Sequence, residues 1–277
     1  MTGILGRDDA GNEKAGSCMI LIAQLSDVHF DTHDRNAERT ERVLAYLLQL
    51  PHRPDAVLVT GDIADRGRPA EYAQARATFD GPLPLWFLPG NHDDRGHLRA
   101  ALLDQPPTGT PINQAVELPG VTVALLDSTI PGDSAGLLAD ETFDWLENLL
   151  AATPAENRVV LAMHHPPMPM YHNVCDGIRL ANPDRLERII ERDPRILATL
   201  TGHLHSAATT LFGGRPFTVA PSVASQIGNS WDGDDPLDFP IDYAPDPSVL
   251  LHIVDGSRFT SVMHTVAMGG RIPALPN

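Results

Sequence analysis

Short apolar runs in this chain end repeatedly in carboxylates and imidazoles. Six such runs, residues 20–25, 56–60, 83–88, 121–127, 158–163 and 196–201, are rich in valine, isoleucine, leucine and alanine. Longer amphipathic segments lie between them, at 37–50, 69–79, 95–103, 141–151 and 183–192. Runs of four to eight apolar residues read as buried strands, and their alternation with helices predicts an α/β core. Asp140 before "ETFDWLENLL" and Asn182 before Pro183 are start signals for the last two helices. Beyond Gly202 the pattern changes. Residues 209–212, 216–220, 249–254 and 259–264 read as short strands joined by turns, predicting a second, largely antiparallel sheet.

A chain of 277 residues with 42% hydrophobic residues can bury one large core. Residues 19–277 therefore read as one domain. Residues 1–18, polar and glycine-containing, read as a flexible leader. The stretch 226–248, "QIGNSWDGDDPLDFPIDYAPDPS", is long, acidic and rich in proline and aspartate. Such a loop is functional or an assembly element, so it is expected to border the site or a subunit contact. The net charge of −16 argues against a long nucleic acid or an anionic membrane as partner, because phosphates would be repelled overall. It leaves room for a small phosphorylated substrate, since a local cation reverses the field at one site. Two cysteines, Cys18 and Cys175, make no disulfide framework, and a cytoplasmic protein is expected. No apolar run approaches the roughly 20 residues that span a bilayer.

Five predicted strand ends carry the chemistry: "SDVHF" with Asp27 and His29, "TGDIAD" with Asp62, "PGNHDD" with Asn91 and His92, "MHHPP" with His164 and His165, and "TGHLH" with His203 and His205. In open α/β sheets, sites form beyond the carboxyl ends of strands, where such residues converge. Asp27 and His29, like His203 and His205, are two apart, so an extended chain projects each pair to one side. Gly61, Gly90 and Gly202 allow the close backbone approach that a crowded site needs. Three oxygen donors and four or five imidazoles, with no thiolate, suit Mn, Fe, Co or Zn. Seven donors are too many for one tetrahedral ion and about right for two ions sharing a carboxylate.

The ordered set D-x-H, G-D, G-N-H-D, H-H and G-H-x-H resembles the calcineurin-like metallophosphoesterases, and the resemblance covers residues 20–264. "GRPAEY", "DETFDWLE" and "MHHPP" are similar to the bacterial branch that includes class III cyclic-nucleotide and glycerophosphodiester phosphodiesterases. The resemblance implies a four-layer αββα sandwich of two mixed sheets flanked by helices. It implies two divalent metal ions per chain: Asp27, His29 and His205 on the first, Asn91, His164 and His203 on the second, and Asp62 bridging both. A water or hydroxide between the metals would attack, and His92 would orient the substrate and assist the leaving group. The activity implied is hydrolysis of small phosphodiesters by a homodimer or higher homo-oligomer. A monoesterase of the same fold, or a silent protein that keeps the metals as a binding module, are the alternatives.

Each motif alone has a plainer explanation. Asp27 alone reads as a turn residue, His29 as a packed histidine, "GNHDD" as a turn with a helix cap at Asp93 or Asp94, and "GHLH" as a surface loop. Five such accidents in order are needed to dismiss the set. His165 is balanced between contact with the site and packing. Asp65 and Arg68 read as a turn and a helix start, Asp127 and Ser128 as supporting or capping residues. Ser222, Ser225 and Gln226 are weak candidates for lining the site. His33, His52, His97, His172, His252 and His264 read as surface or satisfied core residues.

Overall fold

The computed structural model describes residues 19–228, 231 and 241–269. The expected leader, Cys18 and residues 229–230 and 232–240 of the 226–248 insertion lie outside the described residues.

Two sheets carry the chain. In the first, β1 (Ile20–Leu25), β2 (Ala56–Thr60) and β3 (Leu85–Leu88) pair in parallel. In the second, β4 (Gln114–Leu118) lies antiparallel to β5 (Val121–Leu125). Two short hairpins, β6 (Thr129–Ile130) with β7 (Asp133–Gly136) and β12 (Gln226–Ile227) with β13 (Ile241–Asp242), stand apart. Strands β8 (Arg158–Ala162) and β9 (Ile196–Thr201) continue the second sheet in parallel.

The four C-terminal strands do not form a sheet of their own, contrary to the sequence expectation. β10 (Ala208–Phe212) and β11 (Arg215–Val219) extend the second sheet, in the order β10-β11-β9-β8-β5-β4. β14 (Ser248–Asp255) and β15 (Arg258–Thr265) extend the first, in the order β15-β14-β1-β2-β3. The reason is backbone satisfaction. β1 is wholly buried, so its N–H and C=O groups on the side away from β2 need a partner, and β14 supplies one. The edge strand β4 was not foreseen, because "QAVEL" is short and mixes polar with apolar residues.

Three apolar clusters separate four layers. Val43, Leu47, Tyr72, Ala75 and Leu98 bring α1 (Asp34–Gln49), α2 (Pro69–Thr78) and α3 (Arg95–Leu102) onto Ala23, Leu25, Val57 and Val59 of the first sheet. The alternate residues Ile20, Ile22, Ala56 and Leu58 face the second sheet at Val123, Leu125, Val160 and Leu200. The other face of that sheet packs Leu161, Ile196 and Phe217 against Phe143 and Leu146 of α4 (Asp140–Ala152) and Leu186 and Ile190 of α5 (Pro183–Arg192). This is the expected αββα order. Both faces of the central strands are apolar because both are covered.

One polar chain crosses between the sheets. Gln24 Nε2 donates to Thr201 O at 3.0 Å and to Thr60 Oγ1 at 2.9 Å, while its Oε1 accepts from His252 Nε2 at 2.9 Å. The two foreseen helix starts are built differently. Ala139 is the N-cap of α4, and Asp140 sits in the first turn, where the helix dipole favours a carboxylate. Asn182 is the N-cap of α5, but its side chain bonds Leu138 N and O instead of the helix.

Candidate metal centre

The segments that follow β1, β2, β3, β8 and β9 meet at one end of the two sheets. They turn inward by a route the sequence did not suggest. Asp27, His29, Asp62, His203 and His205 all have left-handed backbones, with φ of 53°, 43°, 50°, 72° and 58°. Extended alternation therefore does not aim Asp27 with His29 or His203 with His205; single αL turns do. Asp and His tolerate this region better than most residues, yet it stores strain and persists only where surroundings over-determine it. Here His29 N donates to Asp62 O at 2.9 Å, Asp27 N donates to Gly61 O at 3.1 Å, and Ser222 Oγ donates to Asp27 O at 2.7 Å.

All seven residues expected to ligate metal come together. Asp27, His29, Asp62 and His205 form one group, every member buried, whose potential ligand atoms lie within 4.8 Å of one another. His29 Nε2 stands 3.2 Å from His205 Nε2 and 3.6 Å from Asp62 Oδ2, and His205 Nε2 stands 3.5 Å from Asp27 Oδ1. The second group surrounds His164 Nε2, which is 3.2 Å from Asn91 Oδ1, 3.3 Å from His203 Nδ1 and 3.4 Å from Asp62 Oδ2. Asp62 Oδ2 thus lies against a ring of each group, His29 in the first and His164 in the second.

Burial shapes the charge here. It drives His203 and His205 well below the usual histidine range, helped by neighbouring imidazoles, so both rings stay neutral and keep a lone pair. Burial alone would lift Asp62, but His164 beside it holds the carboxyl well below its usual range. Burial raises the Asp27 carboxyl. His164 is pushed up to about 9: burial opposes its charge, but Asp62, Asp27 and the Thr60 carbonyl together outweigh it.

The donor set fits divalent cations. It holds oxygen and imidazole donors without a thiolate. His203 Nδ1 faces His164 Nε2 at 3.3 Å and His29 Nε2 faces His205 Nε2 at 3.2 Å, pairs of imidazole nitrogens that a cation between them would satisfy. The far ring nitrogens are anchored by oxygens, as ligating histidines require: His164 Nδ1 on Thr60 O at 2.9 Å, His205 Nδ1 on Ser225 Oγ at 3.1 Å.

Several supporting residues were only half seen in the sequence. His92 is exposed; its Nδ1 donates to Asp65 O at 2.6 Å, and its backbone N–H donates to Asp62 Oδ1 at 2.9 Å. Asp65, expected in a turn, also places Oδ1 3.5 Å from His29 Nδ1. Asp94 caps α3 by accepting from His97 N. Asp93 does something else: its carboxylate accepts from Ile63 N, Ala64 N, Gly90 N and the Tyr72 hydroxyl, tying the Asp62 turn to the Asn91 turn. Ser128 Oγ, 2.8 Å from His165 Nδ1, and Ser134 O, 3.2 Å from Nε2, occupy both His165 nitrogens, and burial lowers that ring to about 3. His165 thus packs behind His164 and His203 as a neutral ring. His172 proves buried, with Nε2 donating to Gly228 O, and it lines the cleft above the centre. That cleft, about 290 Å³, is walled by Val174, Ile178, Ile227, Ile241 and Tyr243. Only its place in the loop 166–180 could have pointed to His172.

Comparison with known proteins agrees with this geometry. The chain is 34% identical over 216 residues to a cAMP/cGMP dual specificity phosphodiesterase of Mycobacterium tuberculosis, covering 73% of this chain and 67% of that one. It is 32% identical over 262 residues to the glycerophosphodiester phosphodiesterase GpdQ of Enterobacter lignolyticus, covering 90% and 92%. Among solved structures, a dimetal phosphatase from Danio rerio shares the fold with a TM-score of 0.61 at 15% identity, over 90% of this chain and 99% of that one. The purple acid phosphatase PPD1 of yellow lupin gives 0.65 at 13% identity, over 92% and 52%. The sequence profile described as Calcineurin-like phosphoesterase matches residues 20–207, more than half of the chain. With that match and these relatives, the chain belongs to the calcineurin-like phosphoesterase family.

Proposed function

We propose that the protein is a binuclear metal-dependent phosphodiesterase that hydrolyses small diesters of the cyclic-nucleotide or glycerophosphodiester type. The observation that carries this reading is the pair of buried donor groups that share Asp62. The activities named for the M. tuberculosis and E. lignolyticus relatives support it. Asp27, His29 and His205 would hold one divalent ion, Asn91, His164 and His203 the other, with Asp62 between them. When bound, the pair supplies positive charge for the phosphoryl oxygens and acidifies water.

The chain's own residues do the rest. Neutral His203 and His205 offer lone pairs. The His92 backbone N–H fixes the Asp62 carboxylate, and the Asp65 carbonyl fixes the His92 ring through Nδ1–H, so that in the imidazolium form Nε2–H can give its proton to the departing alkoxide. Iron, manganese, zinc and cobalt all suit the donor set. The reading extends to a homo-oligomer, on the family resemblance, and to the cytoplasm, on thiol usage, Cys175 being free and buried. Among the described residues no helix is long and apolar enough to cross a membrane.

The test is metal analysis of reconstituted protein alongside turnover of bis(p-nitrophenyl) phosphate and p-nitrophenyl phosphate. Two ions per chain and preference for the diester are expected. Saturation at one ion would remove the two-metal assignment, preference for the monoester would make the protein a monoesterase, and metal loading without turnover would leave a binding module.

A further inference from the structure

A second and larger cavity, about 550 Å³, is lined by Asn91, His92, Asp93 and Asp94 of the "GNHDD" turn. Both cavities are lined by Asn91 and His92. A phosphoryl group within reach of His92 therefore borders both cavities, and a diester has one alcohol arm for each.

The two cavities differ in chemistry. The smaller presents Val174, Ile178, Ile227, Ile241 and Tyr243, with the Arg35 guanidinium 3.5 Å from the centre of the Tyr243 ring. The larger sets Arg66, Asp93, Asp94 and Arg95 among glycines, prolines and threonines, and three of these four charged side chains are already matched within the fold. The Asp93 carboxylate takes three backbone N–H groups and the Tyr72 hydroxyl. Asp94 caps α3. Arg95 lies against buried Asp127 with Nε 2.8 Å from Oδ2, and also bonds Thr129 O and Gly109 O. Arg66 remains. Its side chain is 65% exposed, and its one side-chain hydrogen bond among the described residues runs from Nε to the adjacent Asp65 at 3.4 Å. Its two terminal amino groups are uncommitted, which is the geometry that grips a carboxylate or phosphate through two parallel bonds.

We propose that these cavities sort the two arms of an acyclic phosphodiester. The apolar or aromatic arm lies against Ile241 and Tyr243. The other enters the larger cavity, where Arg66 selects for an anionic group. The proposal rests on the phosphodiesterase reading above and adds a substrate class to it: diesters with one apolar and one anionic arm.

Two p-nitrophenyl phosphodiesters, differing only in a 3-carboxypropyl or a butyl second arm, test it on the metal-loaded full chain. The wild type is expected to favour the carboxylate ester. Arg66→Gln is expected to lower kcat/KM about tenfold more for the carboxylate ester than for the butyl ester, the scale of one charge-assisted contact. Arg66→Glu is expected to shift preference to a 3-(trimethylammonio)propyl ester. Equal losses on both esters, or an unchanged preference in Arg66→Gln at wild-type metal content, overturn the proposal. Wild-type turnover of both esters without preference overturns the sorting alone. A metal-loaded wild type that cleaves neither overturns the phosphodiesterase reading itself.

Discussion

Replacing Gly90 by alanine probes the centre without removing a ligand. A Cβ there would sit 2.9 Å from Asp62 Cγ and press on the Asp62 backbone nitrogen as well. Carbon atoms in good contact lie about 3.5–4.0 Å apart, so roughly 0.6–1.1 Å must be absorbed. The neighbours cannot absorb it by a side-chain swing. Asp93 binds Gly90 N and Ile63 N on opposite sides of the contact, and His92 N holds Asp62 Oδ1. The Asp62 and Asn91 turns must part, taking the shared carboxylate out of register with His164. A displacement of about 1 Å at reacting groups costs on the order of 10²-fold in rate, and overpacking about 1–3 kcal/mol in stability. Gly90→Ala is therefore expected to lose about 10²-fold in kcat/KM on bis(p-nitrophenyl) phosphate and to hold less metal, measured by plasma mass spectrometry. Gly81→Ala is the control, because a Cβ there meets nothing within 4 Å. Wild-type turnover and metal content in Gly90→Ala would refute the reasoning.

His92→Ala should leave two ions bound and lower kcat by about 10²–10⁴ on diesters with alkyl leaving groups, with a smaller loss on p-nitrophenyl esters, whose leaving group needs no proton. Asp127→Ala strands the guanidinium of Arg95, whose side chain is 10% exposed, and should cost about 3–5 kcal/mol in a denaturant titration. Burial holds His252 at about 3 in the fold, against about 6.5 when unfolded. Between those values the unfolded chain binds the extra proton, so this residue's contribution is whole above pH 6.5 and falls as pH drops towards 3. At pH 5 the loss is roughly 2 kcal/mol, and His252→Gln should flatten the wild-type pH slope of unfolding by that amount.

The strands that carry the candidate ligands, and the seven candidates themselves, were legible in the chain, and the layer scheme followed from the family resemblance. Runs such as "AVLVT" are apolar on both faces because both are covered, and the ligand types sit at the ends of those runs. What was not legible depended on the partner across space. β14 joins β1 rather than founding a sheet, which no local pattern encodes. The αL turns at Asp27 and His203 are decided by hydrogen bonds to other segments, so alternation gave the right convergence for the wrong reason. Asp93 looked like a cap because capping is local, whereas its four donors come from three separate stretches of chain.

The ligand groups have a mechanical meaning as well as a chemical one. Asp27, His29 and Asn91 hang from the first sheet, His164, His203 and His205 from the second, and each proposed cation draws on both. An ion seated there would rivet the two halves of the sandwich together at their open rim. At a hundredfold excess over its dissociation constant each ion would add about 2.7 kcal/mol to the folded state. Chelation should then loosen the sheet pair before any helix frays, and the temperature at which the protein melts would report on the metal supply.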